Sequence, residues 1–381
     1  MQYEVRLYTP GPTPIHPRAL KALAWPMRSH MDPDMVSFND GLARDLEVLY
    51  GSPDDGFACV LSGSGSFGME VGFANLLEPG EKVVIASNGV FGERMIDMAS
   101  RLGAAVSPVR FPAGSPIAPG IVRESLARIQ PKVLAVVHGE TSTGVINPIE
   151  ELGAIAAEFG AMFTVDAVTT VGMLPFDMGC CGIDYAYTGS QKCLSAPPGL
   201  APVALSPRAL TTIRERVKPV STWYGDVDSM MNYWRPSEGR SYHHTVPVQL
   251  HWATGEAVKA ALEEGVHNRA ARVRTVANAC IISLETIGFK AFVPNEFRLP
   301  TVLAVTLPEG IDDLFVRNTL RSDYRISVTG GLGETTGKIW RLGLMGEAAH
   351  LHHYRHLMIA LGEILGAVHL VETFDQAARE C

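Results

Sequence analysis

No uninterrupted apolar run of 18 residues occurs in the chain, which argues against an ordinary transmembrane helix. Cysteine is sparse, six in 381 residues, and no C-x-x-C pair is present. Neither a zinc ribbon nor a disulfide framework is indicated. Charge is low, at 19% of residues, and a basic excess is missing. Lys and Arg total 32 against 40 Asp and Glu, a formal net charge of −8, so nucleic acid and anionic membrane are poor partners. The N-terminus lacks a basic-then-apolar leader, and a reducing cytoplasmic setting is the expectation. A composition 46% hydrophobic is that of a globular protein, and the length suggests two domains.

Glycine and proline, by contrast, are placed with purpose. Six prolines between Pro10 and Pro33 suggest an extended arm rather than a helix, either frayed or wrapped on a neighbouring subunit. Residues 37–50 have helical apolar spacing. Residues 58–61 read as a strand, followed by Ser62-Gly63-Ser64-Gly65-Ser66-Phe67-Gly68 and a helical run. Amides and hydroxyls at a helix start form a phosphate site. Gly63, Gly65 and Gly68 also satisfy G-x-G-x-x-G. The next strand, residues 83–87, runs into Asn88-Gly89 without the acid a dinucleotide ribose needs, so the phosphate is kept and the dinucleotide dropped.

Strands and helices then alternate: residues 133–137 strand, 149–159 helix, 162–165 strand, 183–188 strand. Such alternation predicts a mainly parallel sheet whose ligands sit beyond the carboxyl ends of its strands. The Gly-Ser turn, Thr141, Asp166 and Lys192 all fall just past strand ends. Lys192 lies in an apolar window that ends in Pro197-Pro198-Gly199. It reads either as a desolvated Schiff-base nucleophile or as a snorkelling surface lysine. Asp166 reads as a counter-ion for a protonated ring nitrogen or as a helix cap. Phe91 taken alone is core more often than stacking platform. Arg341, in an apolar strand, needs an anion, and a substrate carboxylate or a structural acid would serve. The adjacent His243 and His244 are not spaced for a metal on a helix, and no metal site is expected. Residues 249–284 form a long helical stretch broken near Gly265-Val266. Residues 301–307 and 325–328 read as strands, 311–321 as a helix and 350–368 as a last amphipathic helix.

These pieces resemble, in order and spacing, the class V (fold-type I) pyridoxal-phosphate-dependent aminotransferases. Within them the resemblance is to the alanine–glyoxylate and serine–glyoxylate (serine–pyruvate) group. The matching segments are Ser62 to Gly65, Ser87 to Gly92, His138 to Gly144, Val165 to Ala167, Gly189 to Gly199, Tyr242 to Pro247 and Trp340 to Gly346. The resemblance implies an α/β fold, with a mainly parallel seven-stranded sheet in a large domain and a smaller α+β C-terminal domain. Its divisions are an arm over residues 1–20, a large domain over 21–265 and a small one over 266–381.

Pyridoxal 5′-phosphate (PLP) is the implied cofactor. Lys192 would carry it as a Schiff base and shuttle the proton, with Asp166 on the ring nitrogen and Phe91 stacked on the ring. Ser64, Gly65, Ser66 and Gln191 would hold the phosphate, Ser66 standing where many relatives have histidine. Thr141, with Ser142 adjacent, would meet the ring hydroxyl. Tyr242 and Thr245 would reach the phosphate of a partner subunit in a homodimer with shared active sites. Arg341 would clamp the carboxylate of a small amino acid or 2-oxo acid, and Arg28, His30 and Met31 would help line the pocket. Rival implications are a ureidoglycine–glyoxylate or a pyridoxamine–pyruvate aminotransferase, and a PLP-binding protein without catalysis. The pyridoxamine–pyruvate enzymes use a second arginine where Leu332 stands here. Cysteine desulfurases need a loop cysteine, and none lies between Cys280 and Cys381.

Overall fold

The computed structural model describes residues 4–235 and 240–380; Cys381 lies outside the described residues. Seven strands build the larger core: β1 (Phe57–Ser62), β2 (Lys82–Ser87), β3 (Ala105–Arg110), β4 (Val133–Val137), β5 (Met162–Asp166), β6 (Tyr185–Tyr187) and β7 (Leu200–Leu205). Their order across the sheet is β1-β7-β6-β5-β4-β2-β3, with β7 antiparallel to its two neighbours and the other pairs parallel. The whole of β4, Val-Leu-Ala-Val-Val, is buried, as expected of a parallel strand covered on both faces. The carboxyl ends of β1, β2, β4, β5 and β6 therefore share one edge of the sheet.

Three helices position that edge. The first, α1 (Pro33–Tyr50), buries Met35, Leu42, Leu46 and Leu49 and stops at Gly51, whose φ of 56° suits glycine. The other two are α2 (Gly65–Leu76), directly after β1, and α3 (Val90–Arg101), directly after β2. The long helical stretch divides as its sequence suggested, into α4 (Val248–Glu264) and α5 (Val266–Glu285), with Gly265 at φ 82° between them. A second sheet joins β8 (Lys290–Ala291), β9 (Val302–Thr306), β10 (Thr329–Gly330) and β11 (Ile339–Gly343) in the antiparallel order β8-β9-β11-β10. It shares a second apolar cluster with α5 and with α6 (Leu351–Leu365) and α7 (His369–Glu380).

Some sequence expectations need correction. The N-terminal segment is not extended throughout. Pro17–Ala22 is a short helix with Pro17 in its first turn, where the missing N–H costs nothing, and α1 begins at Pro33 rather than 37. The last helix ends at Leu365, because Gly366 adopts φ 67°, and a further helix, α7, follows. The segment from Arg6 to Thr13 packs on its own chain. Arg6 and Leu7 pair in parallel with Ile326 and Ser327. Tyr8 is fully buried, its ring stacked on His353 at 4.2 Å and its hydroxyl donating to the His353 carbonyl at 2.6 Å. Among the described residues no helix is long and apolar enough to cross a membrane.

Candidate active site

A cavity of about 210 Å³ opens at the shared edge, lined by Ser64, Gly65, Ser66, Phe91, Thr141, Asp166, Gln191 and Lys192, all marked out by the sequence. Met69, Arg94, Val168, Tyr187 and Gly189 complete the lining.

Lys192 follows β6 in a tight turn, its N–H donating to the Gly189 carbonyl at 3.1 Å and its own carbonyl accepting from Ser195 N at 3.0 Å. Thr13 of the N-terminal segment braces that turn, its hydroxyl donating to the Lys192 carbonyl at 3.1 Å. The Lys192 amine donates to the Pro10 carbonyl at 2.5 Å. Gly11 lies against the same side chain at φ 91°, and a Cβ there would sit 2.5 Å from Nζ. The backbone of the N-terminal segment thus forms one wall around the lysine, a contact that composition alone did not reveal. Burial lowers the amine pKa to about 8, which increases the free-base fraction at neutral pH over that of an ordinary lysine.

Asp166 ends β5 and is fixed at both oxygens: Val168 N donates to Oδ1 at 2.9 Å and the Tyr187 hydroxyl to Oδ2 at 2.8 Å. Burial pushes its pKa up to about 6, the two donors pull it down, and Glu140 pushes it up again. Tyr187 is the register partner of Asp166 across β5 and β6, so the pairing places the phenol beside the carboxylate. Its own pKa is held well above the ordinary value by burial, which keeps the phenol a donor. Sequence reasoning missed this role. The 21-residue separation hides it, and strand register is the signal that could have found it.

Glu140, also missed, is fully buried and organises the opposite wall. Its carboxylate accepts from the backbone N–H groups of Phe91 at 3.2 Å, Gly92 at 3.3 Å and Ser142 at 3.0 Å. The Ser142 hydroxyl donates to it as well, at 2.5 Å, and accepts from Val90 N at 2.9 Å. Glu140 therefore caps α3 from another strand end, setting Phe91 at the cavity. The Ser142 hydroxyl is used in this network, and of Thr141 and Ser142 it is Thr141 that faces the cavity.

Arg341 on β11 is buried beside these groups, though it does not line the cavity itself. Its Nε donates to the Gly330 carbonyl at 3.0 Å and Nη1 to the Thr141 carbonyl at 3.2 Å. Among the described residues no carboxylate forms an ion pair with it; Glu140 acts on it electrostatically but accepts from the N–H groups just described. Tyr242 and Thr245 lie outside the cavity. Both are exposed, with the Tyr242 hydroxyl 3.3 Å from Thr245 Oγ1. Arg28, His30 and Met31 do not line it either; the His30 ring packs 5.2 Å from that of Tyr242.

Comparison with known proteins decides the family: the profile described as aminotransferase class-V matches residues 56–344, about three quarters of the sequence. The chain belongs to the class-V aminotransferases. As such it is a PLP-dependent transaminase. This class-V aminotransferase is 34% identical to an alanine–glyoxylate aminotransferase of Oryctolagus cuniculus over 361 residues, 94% of this chain and 92% of that relative. Similar solved structures include an alanine–glyoxylate aminotransferase from Nostoc sp. (TM-score 0.92, 37% identity, 96% of each chain). Another is a ureidoglycine–glyoxylate aminotransferase from Bacillus subtilis (TM-score 0.96, 30% identity, 100% of this chain and 99% of that one).

The cavity fits PLP on its own chemistry. At one end Ser64 caps α2 without a side-chain bond of its own, so the first amides of the helix are available to an anion. Gln191 Oε1 is buried there without a partner, an amide end that a phosphate would engage once its NH₂ group is turned inward. At the other end are a carboxylate suited to a protonated ring nitrogen and an amine of depressed pKa.

Tyr187→Phe tests the carboxylate end. Without the phenol donor Asp166 protonates more readily, so the acid limb of the holoenzyme's pH–activity profile should move upward by about one unit. An unmoved acid limb would show that the hydrogen bond does not tune Asp166.

Proposed function

We propose that the protein moves an amino group from a small amino acid, alanine or serine, to a small 2-oxo acid, glyoxylate or pyruvate, by a ping-pong mechanism. The observation that carries this reading is Arg341: a buried guanidinium that pairs with no acid among the described residues, tied through the Thr141 carbonyl to the wall that faces Lys192 and Asp166. A planar fork in that setting suits a substrate carboxylate. The names of the relatives support the choice of small substrates, as does the Pro10–Gly11 backbone packed against the lysine side chain.

In this mechanism Arg341 orients the substrate through its carboxylate and brings Cα within reach of Lys192. The Lys192 amine would take the Cα proton at Nζ and deliver it to the cofactor carbon that receives the amino group. Asp166, held by Tyr187 and Val168, would hold the ring nitrogen in its protonated form. Bound PLP supplies the electron sink for the charge developed at Cα. Phe91, fixed by Glu140, would stack on the ring, Thr141 would meet the ring hydroxyl, and the Gly-Ser turn with Gln191 would hold the phosphate.

In this reading Tyr242 and Thr245 serve the site of a second subunit. Their exposure supports that assignment, as do the exposed aromatic residues beside them: Trp223 stacks on His243 at 4.4 Å and Tyr224 packs on His244 at 4.8 Å. A homodimer in sedimentation is the expected result.

A similar solved structure is named a ureidoglycine–glyoxylate aminotransferase, so ureidoglycine is the alternative donor and joins alanine and serine in a donor panel with glyoxylate and pyruvate as acceptors. The holoenzyme's long-wavelength band should be bleached by alanine or serine and restored by glyoxylate or pyruvate. A band that only ureidoglycine bleaches would replace the proposal with the alternative, and one that no amino donor bleaches would refute it.

A further inference from the structure

Arg94 lies one turn into α3 and turns toward the cavity. Its Nη1 donates to Ser66 Oγ at 3.2 Å, and its guanidinium carbon sits 4.8 Å from the centre of the Phe91 ring. The acids nearest to it along the helix are engaged elsewhere: Glu93 binds Arg110 at 2.9 Å and Asp97 binds Arg101 at 2.9 Å. No ion pair to Arg94 occurs among the described residues. An exposed guanidinium without an acid partner, steered by an aromatic ring onto a serine of the glycine turn, is placed for an anion arriving at that turn.

The rest of the turn lacks such charge. Ser64, Gly65, Ser66 and Gln191 offer hydroxyls, amides and backbone N–H groups, and the start of α2 contributes only a partial positive charge. A phosphate monoester near neutral pH carries roughly −1.5 to −2. A neutral cup leaves most of that charge uncompensated, and Lys192 lies at the reacting end of the cavity, committed to other chemistry. Arg341 reaches the cavity through Thr141, away from Ser66.

We propose that Arg94 is the cationic ligand of the cofactor phosphate, acting together with Ser66 and carried on the same helix start that presents Phe91 to the ring. Phosphate and ring are then gripped from adjacent turns of α3, so one helix sets both the position and the tilt of the cofactor. This rests on the placement of PLP in the cavity.

The test is equilibrium binding of PLP and of pyridoxal, which lacks the phosphate, to the full chain freed of cofactor, in unchanged, Arg94→Gln and Arg94→Lys forms. Loss of a charged hydrogen bond predicts about 10- to 150-fold weaker PLP binding in Arg94→Gln. Pyridoxal binding should change less than about twofold, and Arg94→Lys should recover part of the loss by returning the charge without the fork. Inorganic phosphate should compete with PLP on the unchanged chain and markedly less well on Arg94→Gln. Equal losses for PLP and pyridoxal would overturn the proposal in favour of a merely structural role. Unchanged PLP binding with a raised donor KM would overturn it in favour of a substrate contact. If Arg94→Gln does not fold, the lysine variant and the phosphate competition decide on the same criteria. An unchanged chain that binds PLP but transfers no amino group would refute the proposed reaction and leave Arg94 standing.

Discussion

Lys192→Ala should yield a folded protein that binds PLP and no longer transaminates. Loss of the proton-transfer group alone predicts a fall of about 100- to 10,000-fold in turnover. Loss of the covalent anchor adds to it. The fold should survive because the amine makes a single hydrogen bond, to Pro10, while the turn is held by backbone bonds and by Thr13. The pH dependence of stability gives a second readout in the cofactor-free protein. Burial lowers the Lys192 pKa from 10.5 to about 8. Between those values the unfolded chain holds a proton that the folded chain has released, so the lysine contributes stability that grows as pH rises through this window. Below pH 8 that contribution is gone. Melting curves at pH 7 and pH 10 should therefore differ by less in Lys192→Ala than in the unchanged chain, once both are corrected for the other groups through Lys192→Met. Retained transamination in either variant would remove Lys192 from the mechanism.

The parts of the site that were legible in the sequence are those that sit at strand ends. Ser64, Asp166 and Lys192 follow apolar strands whose pattern is plain, and a parallel sheet gathers such ends on one edge whatever the details of packing. The less legible parts depend on register and on long-range packing. Tyr187 faces Asp166 because β5 and β6 pair at those two residues, and no local pattern states a register. Glu140 reads as one acid in a polar loop until the loop is folded over the start of α3. Arg94 lies two residues beyond the segment that carried the resemblance, where a surface arginine is the ordinary expectation. Two strands of the main sheet also escaped notice, both with a proline inside, Pro108 in β3 and Pro202 in β7. Proline normally argues against a strand. β3 is an edge strand, and Pro202 falls just beyond the ladder with β6, which begins at Val203.

Arg341→Gln is expected to discriminate among substrates rather than weaken the site uniformly. Removing one partner of a buried, hydrogen-bonded charge pair costs about 2–5 kcal/mol, or roughly thirty- to several-thousand-fold in kcat/KM for amino acid donors. Lysine is a poor replacement. A single ammonium cannot at once donate to the Gly330 and Thr141 carbonyls and present a flat pair of donors to a carboxylate. Arg341→Lys should therefore recover only a minor part of the loss. PLP affinity should be unchanged in both variants, because Arg341 lies outside the cavity lining. The decisive comparison is between alanine and a simple amine without a carboxylate, each followed by bleaching of the holoenzyme's band. If Arg341 holds the carboxylate, the variant loses its preference for alanine while the slow reaction of the simple amine stays as it was. If both slow equally, Arg341 serves to brace β11 against the Thr141 loop, and the anion for its buried charge must be sought elsewhere.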